Sequence, residues 1–219
     1  MMDQKEFWED KSVLKRRPPE HPVIEAFARP KVDEIVRLVE RDAPSQGMTL
    51  LDVGSGNGYF SHHLKRRFDV TALDFSRKIL SICPIEKKVQ AAAERVPFRD
   101  GAFDVVFAAN LLHHAPEPVD IIDEMLRVCS RYVVLVEPNR LNPFMFLISQ
   151  VSRTDRSILR FSSGYMRGLV KGKAELLLAQ TTGFILPNVT PLSVLPLLKA
   201  LEPFLFPKMF HLLVARKLA

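Results

Sequence analysis

Cysteine is scarce in this chain. Among 219 residues there are two, Cys83 and Cys129, which form no close pair and sit at no metal-ligand spacing. A disulfide framework and a zinc site are therefore poorly supported, no metal site of any kind is expected, and a reducing cytoplasm is the expected compartment. A long uncharged apolar run is also missing. The candidate nearest the C-terminus, residues 184–198, is interrupted by Pro187, Pro191 and Pro196, and it falls short of the ~20 residues a spanning helix needs. The opening residues, MMDQKEFWEDK, are charged from the third position and lack the apolar core of a secretory signal. Repeats and low-complexity tracts are absent. Glycine is sparse as well, with nine in all, yet three of them fall at positions 54, 56 and 58.

What is present fits a globular domain: 47% hydrophobic and 26% charged residues. The length suits one domain. The net charge of +6 is uneven. From Arg140 onward there are eleven Lys/Arg against three acids, which leaves about −2 for residues 1–139.

Residues 3–29 read as short helices interrupted by Pro18, Pro19 and Pro22. A further helix starts at Pro30 and carries Val32, Ile35, Val36 and Val39 on one stripe. Strands and helices then alternate. The expected strands are Met48–Val53, Val70–Leu73, Lys88–Ala92, Phe103–Ala108 and Tyr132–Val136. The helices between them are Tyr59–Arg67, Ser76–Ser81 and Pro118–Val128. Beyond Glu137, Asn142–Val151 and Lys173–Thr181 read as helices, the second capped by Gly183. Phe184–Val189 and His211–Lys217 read as strands, with an apolar helix over Leu192–Leu201 between them. Continuous apolar strands separated by helices imply an α/β fold. The expected form is a doubly wound, mostly parallel seven-stranded sheet with helices on both faces, Rossmann-like. The whole of 1–219 is taken as one domain: a helical cap (1–45), a cofactor-binding half (46–139) and an acceptor-side half (140–219).

The informative segment is Asp52-Val53-Gly54-Ser55-Gly56-Asn57-Gly58, where a strand runs into a glycine-rich turn and then a helix. Ligands of open α/β sheets bind outside the carboxyl ends of strands at the switch point. The spacing is not that of the dinucleotide fingerprint, because Tyr59 stands where its last glycine would be. The P-loop lysine is missing too. Asp74 ends the second strand, where a carboxylate can accept hydrogen bonds from both hydroxyls of an unphosphorylated ribose.

Asp52-x-Gly54-x-Gly56-x-Gly58 resembles the first motif of class I S-adenosylmethionine-dependent methyltransferases. Ala93-Glu94-Arg95-Val96-Pro97-Phe98-x-Asp100-Gly101-x-Phe103-Asp104 resembles the segment before the fourth strand in their ubiquinone/menaquinone-type (methyltransferase type 11) branch. Asn110-Leu111-Leu112-His113-His114 resembles the segment after that strand. The resemblance spans roughly residues 46–139, and it implies S-adenosylmethionine as cofactor and methyl transfer as the activity. It further implies that Asp52, Gly54, Ser55, Gly56 and Gly58 face the methionine part and ribose. Asp74 would hold the ribose with Phe75 beside the adenine, Ala93 and Glu94 would lie at the adenine edge, and Asn110 and Leu111 would line the methionine side. One departure is Ala92, where the branch usually has an acid.

A methyl group on a sulfonium is already electrophilic, so positioning can supply much of the catalysis. For a carbon or phenolic acceptor, His113 or His114 could act as base; the alternative is a packing role. Glu137-Pro138-Asn139 is either a strand-ending turn or an acceptor contact. Phe7 and Trp8 either pack in the N-terminal helix or close over the cofactor. The apolar and basic character of 140–215 suggests a small-molecule or lipid-like acceptor, with possible contact to an anionic membrane. RNA or protein as acceptor, and a non-catalytic nucleoside-binding role, are the alternatives. Nucleic acid is less favoured, because no Asn/Asp-Pro-Pro-aromatic motif follows the fourth strand.

Overall fold

A computed structural model describes residues 16–152 and 155–218; Phe7 and Trp8 lie outside them. Seven strands form one sheet in the order β3-β2-β1-β4-β5-β7-β6. They are β1 (Thr49–Val53), β2 (Asp69–Asp74), β3 (Lys87–Gln90), β4 (Phe103–Ala109), β5 (Cys129–Pro138), β6 (Ala174–Thr182) and β7 (Phe210–Lys217). Strands β1 to β5 pair in parallel, and β7 runs antiparallel to both β5 and β6. This is the expected fold class.

Side chains along the central strands alternate between two cores. Leu50, Val105, Phe107, Tyr132, Val134, Val136, Leu212 and Val214 enter one. Leu51, Val53, Val106, Ala108, Val133, Leu135, Leu213 and Ala215 enter the other. Both faces are therefore buried, which is why these strands read as unbroken apolar runs. The first core is covered by α1 (Pro22–Val39) and α2 (Tyr59–Leu64), with α3 (Arg77–Ser81) at its border. The second is covered by α4 (Pro118–Val128) and α6 (Ser163–Val170).

Four expectations need correction. Pro30 does not begin a helix; it lies inside α1, which runs unbroken from Pro22. An internal proline costs about 3 kcal/mol. Val23, Ile24, Phe27, Ala28, Val32, Ile35 and Val39 of this helix are all buried, and full burial of each larger side chain contributes roughly 1.5–3 kcal/mol. Packing overrides the break. The helix expected over 59–67 stops at Leu64. Residues 174–182 form strand β6 and not a helix, because pairing along β7 supplies their backbone hydrogen bonds. Gly183 does turn the chain at φ +73°, but it ends a strand. Finally, Phe184–Val189 is an irregular loop. Its partners include side chains: Leu186 N–H donates to Thr190 Oγ1 (2.9 Å), and Arg17 donates to the carbonyls of Pro187 (3.0 Å) and Thr190 (2.7 Å).

The two remaining helices are α5 (Pro143–Val151) and α7 (Leu195–Leu201). Among the described residues no helix is long and apolar enough to cross a membrane.

Lys31 is buried in α1, where its ammonium donates to the Phe27 carbonyl (2.7 Å) and lies 4.0 Å from the Phe27 ring centroid. Burial pushes this lysine down to about 7 from 10.5, with Glu202 opposing. Between those values the unfolded chain binds the extra proton, so this group's contribution to stability rises with pH. Lys31→Met should remove that rise. Subtracting the variant's thermal midpoint from that of the parent protein across pH 7 to 10 should give a difference that grows with pH; a flat difference would mean that the buried amine titrates normally.

Candidate cofactor and acceptor site

The winding of the sheet reverses between β1 and β4, and their carboxyl ends open a crevice there. A cavity of about 660 Å³ occupies it. Asp52, Gly54, Ser55, Gly56, Asp74, Phe75, Ala93, Glu94, Asn110, Leu111, His113 and His114 all line this cavity. Of the residues singled out in the sequence, Gly58 does not. It caps α2 in the left-handed region at φ 76°. A Cβ on it would meet Cys83 Sγ at 2.5 Å and Pro84 Cδ at 2.9 Å, so its role is packing beneath the turn.

The turn is held from both sides. Asp74 accepts from Gly56 N–H through one carboxylate oxygen and from Ser76 N–H through the other, both at 2.9 Å. Ser55 N–H donates to the Leu73 carbonyl (2.9 Å). Asp52 is buried and accepts from the Ser61 hydroxyl. Burial pushes its carboxyl up to about 7; the Ser61 bond works against this and the nearby Asp74 adds to it. Burial also raises Asp74, against the backbone donors of Ser76 and Gly56. Ala92, the departure from the family pattern, lines the cavity beside Ala91 and Ala93.

The loop after β4 is anchored by Glu137, which has no exposed surface. One carboxylate oxygen accepts from the N–H groups of Leu111 (2.9 Å) and Leu112 (2.8 Å), and the other lies 2.7 Å from His113 Nδ1. The other ring nitrogen of His113 is 3.6 Å from Asp155 Oδ1. Burial disfavours the charged imidazole, but Glu137 and Asp155 outweigh it and hold His113 up at about 9. His113 is therefore an imidazolium at neutral pH, and His114 stacks on it with centroids 3.9 Å apart. Asn110 adopts φ 52°, outside the usual range for a non-glycine residue. It is fixed by its N–H to the Val136 carbonyl (2.8 Å) and by its side-chain amide to Tyr59 Oη (3.1 Å).

His113, His114 and Asp155 present potential ligand atoms within 4.8 Å of one another, so they are the described residues that could hold a metal. The His113 ring is already engaged by Glu137 and Asp155.

Sequence reasoning missed two residues here. Arg16 lines the cavity near Tyr59 and Asp74, and nothing in its proline-rich surroundings marks it. Asp155 arrives from a region read as basic loop. Glu137, read with Pro138 and Asn139 as a strand-ending turn or an acceptor contact, lies within β5 and holds the loop after β4, since a carboxylate in a buried apolar strand needs buried donors.

The cavity has two chemically different ends. The end at β1 and β2 presents two carboxylates, backbone of the glycine turn, and the Ser55 hydroxyl, which is buried with no hydrogen-bond partner among the described residues. The other end is apolar, with Met145, Ile148, Ile158, Leu186, Val189 and Phe210. A nucleoside bearing a sulfonium and an ammonium fits the first end. Asp52 offers an acid for its cations, Asp74 with Arg16 near it offers lone pairs for its hydroxyls, the Ser55 hydroxyl offers a polar contact, and a Cβ on Gly56 would meet nothing closer than Ile79 at 3.6 Å.

Fold and crevice together are those of the Rossmann-like methyltransferase fold, and S-adenosylmethionine fits the crevice. Residues 51–136 match the family model described as a methyltransferase domain. The chain is 32% identical over 97 residues to a phosphatidylethanolamine N-methyltransferase of Cereibacter sphaeroides, covering 40% of this chain and 48% of that protein. It is 31% identical over 140 residues to a ubiquinone biosynthesis O-methyltransferase of Caulobacter vibrioides, covering 58% and 53%. The chain thus spans about half the length of these curated relatives. Among solved structures, an S-adenosylmethionine-dependent methyltransferase from Aquifex aeolicus shares the fold with a TM-score of 0.59 at 15% identity, covering 100% of both chains. Magnesium protoporphyrin IX methyltransferase from Synechocystis with bound S-adenosylhomocysteine does so at 0.61 and 15%, covering 85% of this chain and 82% of that one.

Because burial holds the Asp52 carboxyl up at about 7, arrival of a cationic donor should expel its proton. Calorimetry of S-adenosylmethionine binding near pH 6.5, in two buffers of different ionisation enthalpy, should show net proton release. Asp52→Asn should abolish most of it. Equal release from the variant would assign the proton elsewhere.

Proposed function

We propose that this chain transfers a methyl group from S-adenosylmethionine to a small, lipid-like acceptor. The observation that carries this reading is the single cavity in which an acidic, glycine-walled end meets an apolar end. The named acceptors of the relatives point the same way, since phosphatidylethanolamine and ubiquinone precursors combine a reactive polar atom with a large apolar body. In this reading residues 46–139 form the cofactor half and 140–219 the acceptor half of one domain, capped by the segment before residue 46.

When bound, S-adenosylmethionine supplies an electrophilic methyl group on a sulfonium. The chain's own residues then do the following. Asp74 keeps lone pairs beyond its two backbone bonds and accepts the ribose hydroxyls. Asp52, Gly54, Ser55 and Gly56 surround the methionine part, with Asn110 and Leu111 opposite. Phe75, Ala93 and Glu94 border the adenine. The apolar wall around Met145 and Ile158 excludes water and fixes the acceptor's body, so its reactive atom approaches in one orientation. His113 is a positioning residue: already protonated and braced by Glu137 and Asp155, it holds His114 against the cavity. His114 takes the acceptor's proton where the acceptor has one to lose.

Three outcomes test this. Asp74→Ala should weaken donor binding by more than about tenfold, since hydrogen bonds to a charged group contribute roughly 1.5–3 kcal/mol; unchanged affinity by titration calorimetry would remove the ribose assignment. His114→Ala should lower kcat for an acceptor that must lose a proton while calorimetric donor affinity stays unchanged; an unchanged kcat would remove its role as base. Incubation with methyl-labelled donor and fractionated cell extract should put label into the lipid or small-molecule fraction. Label confined to RNA or protein, or absent from every fraction, would overturn the acceptor reading.

A further inference from the structure

Large apolar side chains are unevenly exposed. Among the described residues fifteen are exposed, and twelve of these lie between Leu141 and Phe206. Phe204 is 84%, Phe206 82% and Val151 77% exposed. Helix α5, with sequence PFMFLISQV, has no charged residue and buries only Met145 and Ser149. Helix α7 buries only Leu195. A surface helix of a globular protein normally turns its apolar stripe inward; these two are apolar on the outside.

The exposed groups belong to one face. Asn142 caps α5 by accepting from Phe144 and Met145 N–H (3.0 and 3.1 Å), and its amide donates to the Pro207 carbonyl (2.7 Å). That bond fastens the start of α5 to the turn carrying Phe204 and Phe206. Met145 of α5 and Leu195 of α7 enter the same core with Ile185 and Met209. Around this face the charge is positive. Across residues 140–152 and 183–210 the charged residues are Arg140, Lys199 and Lys208 against Glu202, with Arg156 and Arg160 exposed on the short 3-10 helix that follows α5, where Asp155 is paired with His113. The apolar end of the cavity is walled by the same elements: Met145 and Ile148 of α5, and residues 186–189, where Val189 is exposed.

We propose that this face docks on an anionic lipid bilayer. The aromatic and leucine side chains of α5, α7 and the 204–206 turn sit at the headgroup–acyl boundary, the basic rim meets the anionic headgroups, and the acceptor enters the cavity from the bilayer. The choice of a bilayer over a second copy of the chain rests on charge: two copies would bring like-charged rims together, whereas anionic lipid complements them. The inference deepens the lipid-like acceptor reading and rests on it for the path of entry, but not for docking itself.

The test uses the full chain in flotation with unilamellar vesicles of phosphatidylcholine alone or mixed with phosphatidylglycerol, without donor or turnover. Binding is expected on the mixed vesicles, weakening at high salt and little on phosphatidylcholine alone. The double variant Phe204→Ser/Phe206→Ser should bind about tenfold or more weakly, given the apolar area it removes, and Lys199→Glu should weaken binding on the mixed vesicles only. Unchanged calorimetric donor affinity would show that both variants remain folded. Absence of binding to either vesicle, or undiminished binding by the double variant, would overturn the proposal. So would concentration-dependent dimerisation lost in the double variant with no vesicle binding, since the face would then belong to a second copy. Docking without methylation of any apolar acceptor would instead sink the acceptor reading alone, and turnover of a detergent-dispersed lipid acceptor without docking would sink only the docking.

Discussion

The arrangement of this site depends on burying one carboxylate. Glu137 ends a run of apolar residues in β5 and has no contact with solvent. A charge in that position is strongly unfavourable unless donors surround it. The donors all come from the loop after β4: two backbone N–H groups and the His113 ring. The loop consequently has one conformation in which Glu137 is satisfied, and that conformation places Leu111 against the turn after β1. The Leu111 side chain sits 2.8 Å from where a Cβ on residue 54 would lie. Gly54 is thus required twice, by its positive φ and by a neighbour that a buried carboxylate, some eighty residues along the chain, holds in place. Without Glu137, two N–H groups and a buried imidazolium lose their partner together, each unpaired backbone donor costing about 1–3 kcal/mol.

The three glycines of the motif answer three different constraints. Gly54 makes room for Leu111, Gly58 makes room for Cys83 and Pro84, and Gly56 alone would take a Cβ without a clash, Ile79 lying at 3.6 Å, while its N–H donates to Asp74. A motif that reads as one ligand-binding signature is, in structure, two packing positions flanking one exposed backbone segment. The carboxylates beside it are held above their ordinary titration range by burial. Arg16 and two backbone donors offset part of that cost at Asp74, and the Ser61 hydroxyl part of it at Asp52; a positively charged donor would offset more.

Much of this was legible in sequence where one local rule decided the outcome. Strands β1, β4 and β5 are buried on both faces, and their apolar runs admit no competing reading. The turn from Asp52 to Gly58 and the acid ending β2 carry their meaning in spacing. Residues 174–182 were misread because AELLLAQTT contains good helix formers, and only the partner strand β7, far along the chain, decides between helix and sheet. Pro30 misled for the opposite reason: a strong local rule was overruled by the sum of many buried contacts. Arg16 and Asp155 reach the cavity from segments with no local pattern, and their approach is a property of the packed chain alone.

That asymmetry explains why the donor end is easier to read than the acceptor end. The donor end is built from strand termini, where geometry forces glycine and acid into fixed places. The acceptor end is built from α5, Ile158 and residues 186–189, whose only shared requirement is to be apolar. An apolar wall discriminates weakly, at about 1–3 kcal/mol per methylene, whereas a polar group aimed at the ligand discriminates strongly because it is left unpaired by the wrong one. In this cavity the polar groups at the acceptor end are concentrated in His113, His114 and Asp155. Under the proposed function, selection among acceptors would fall on the atom presented to that cluster, while an apolar body would be read loosely.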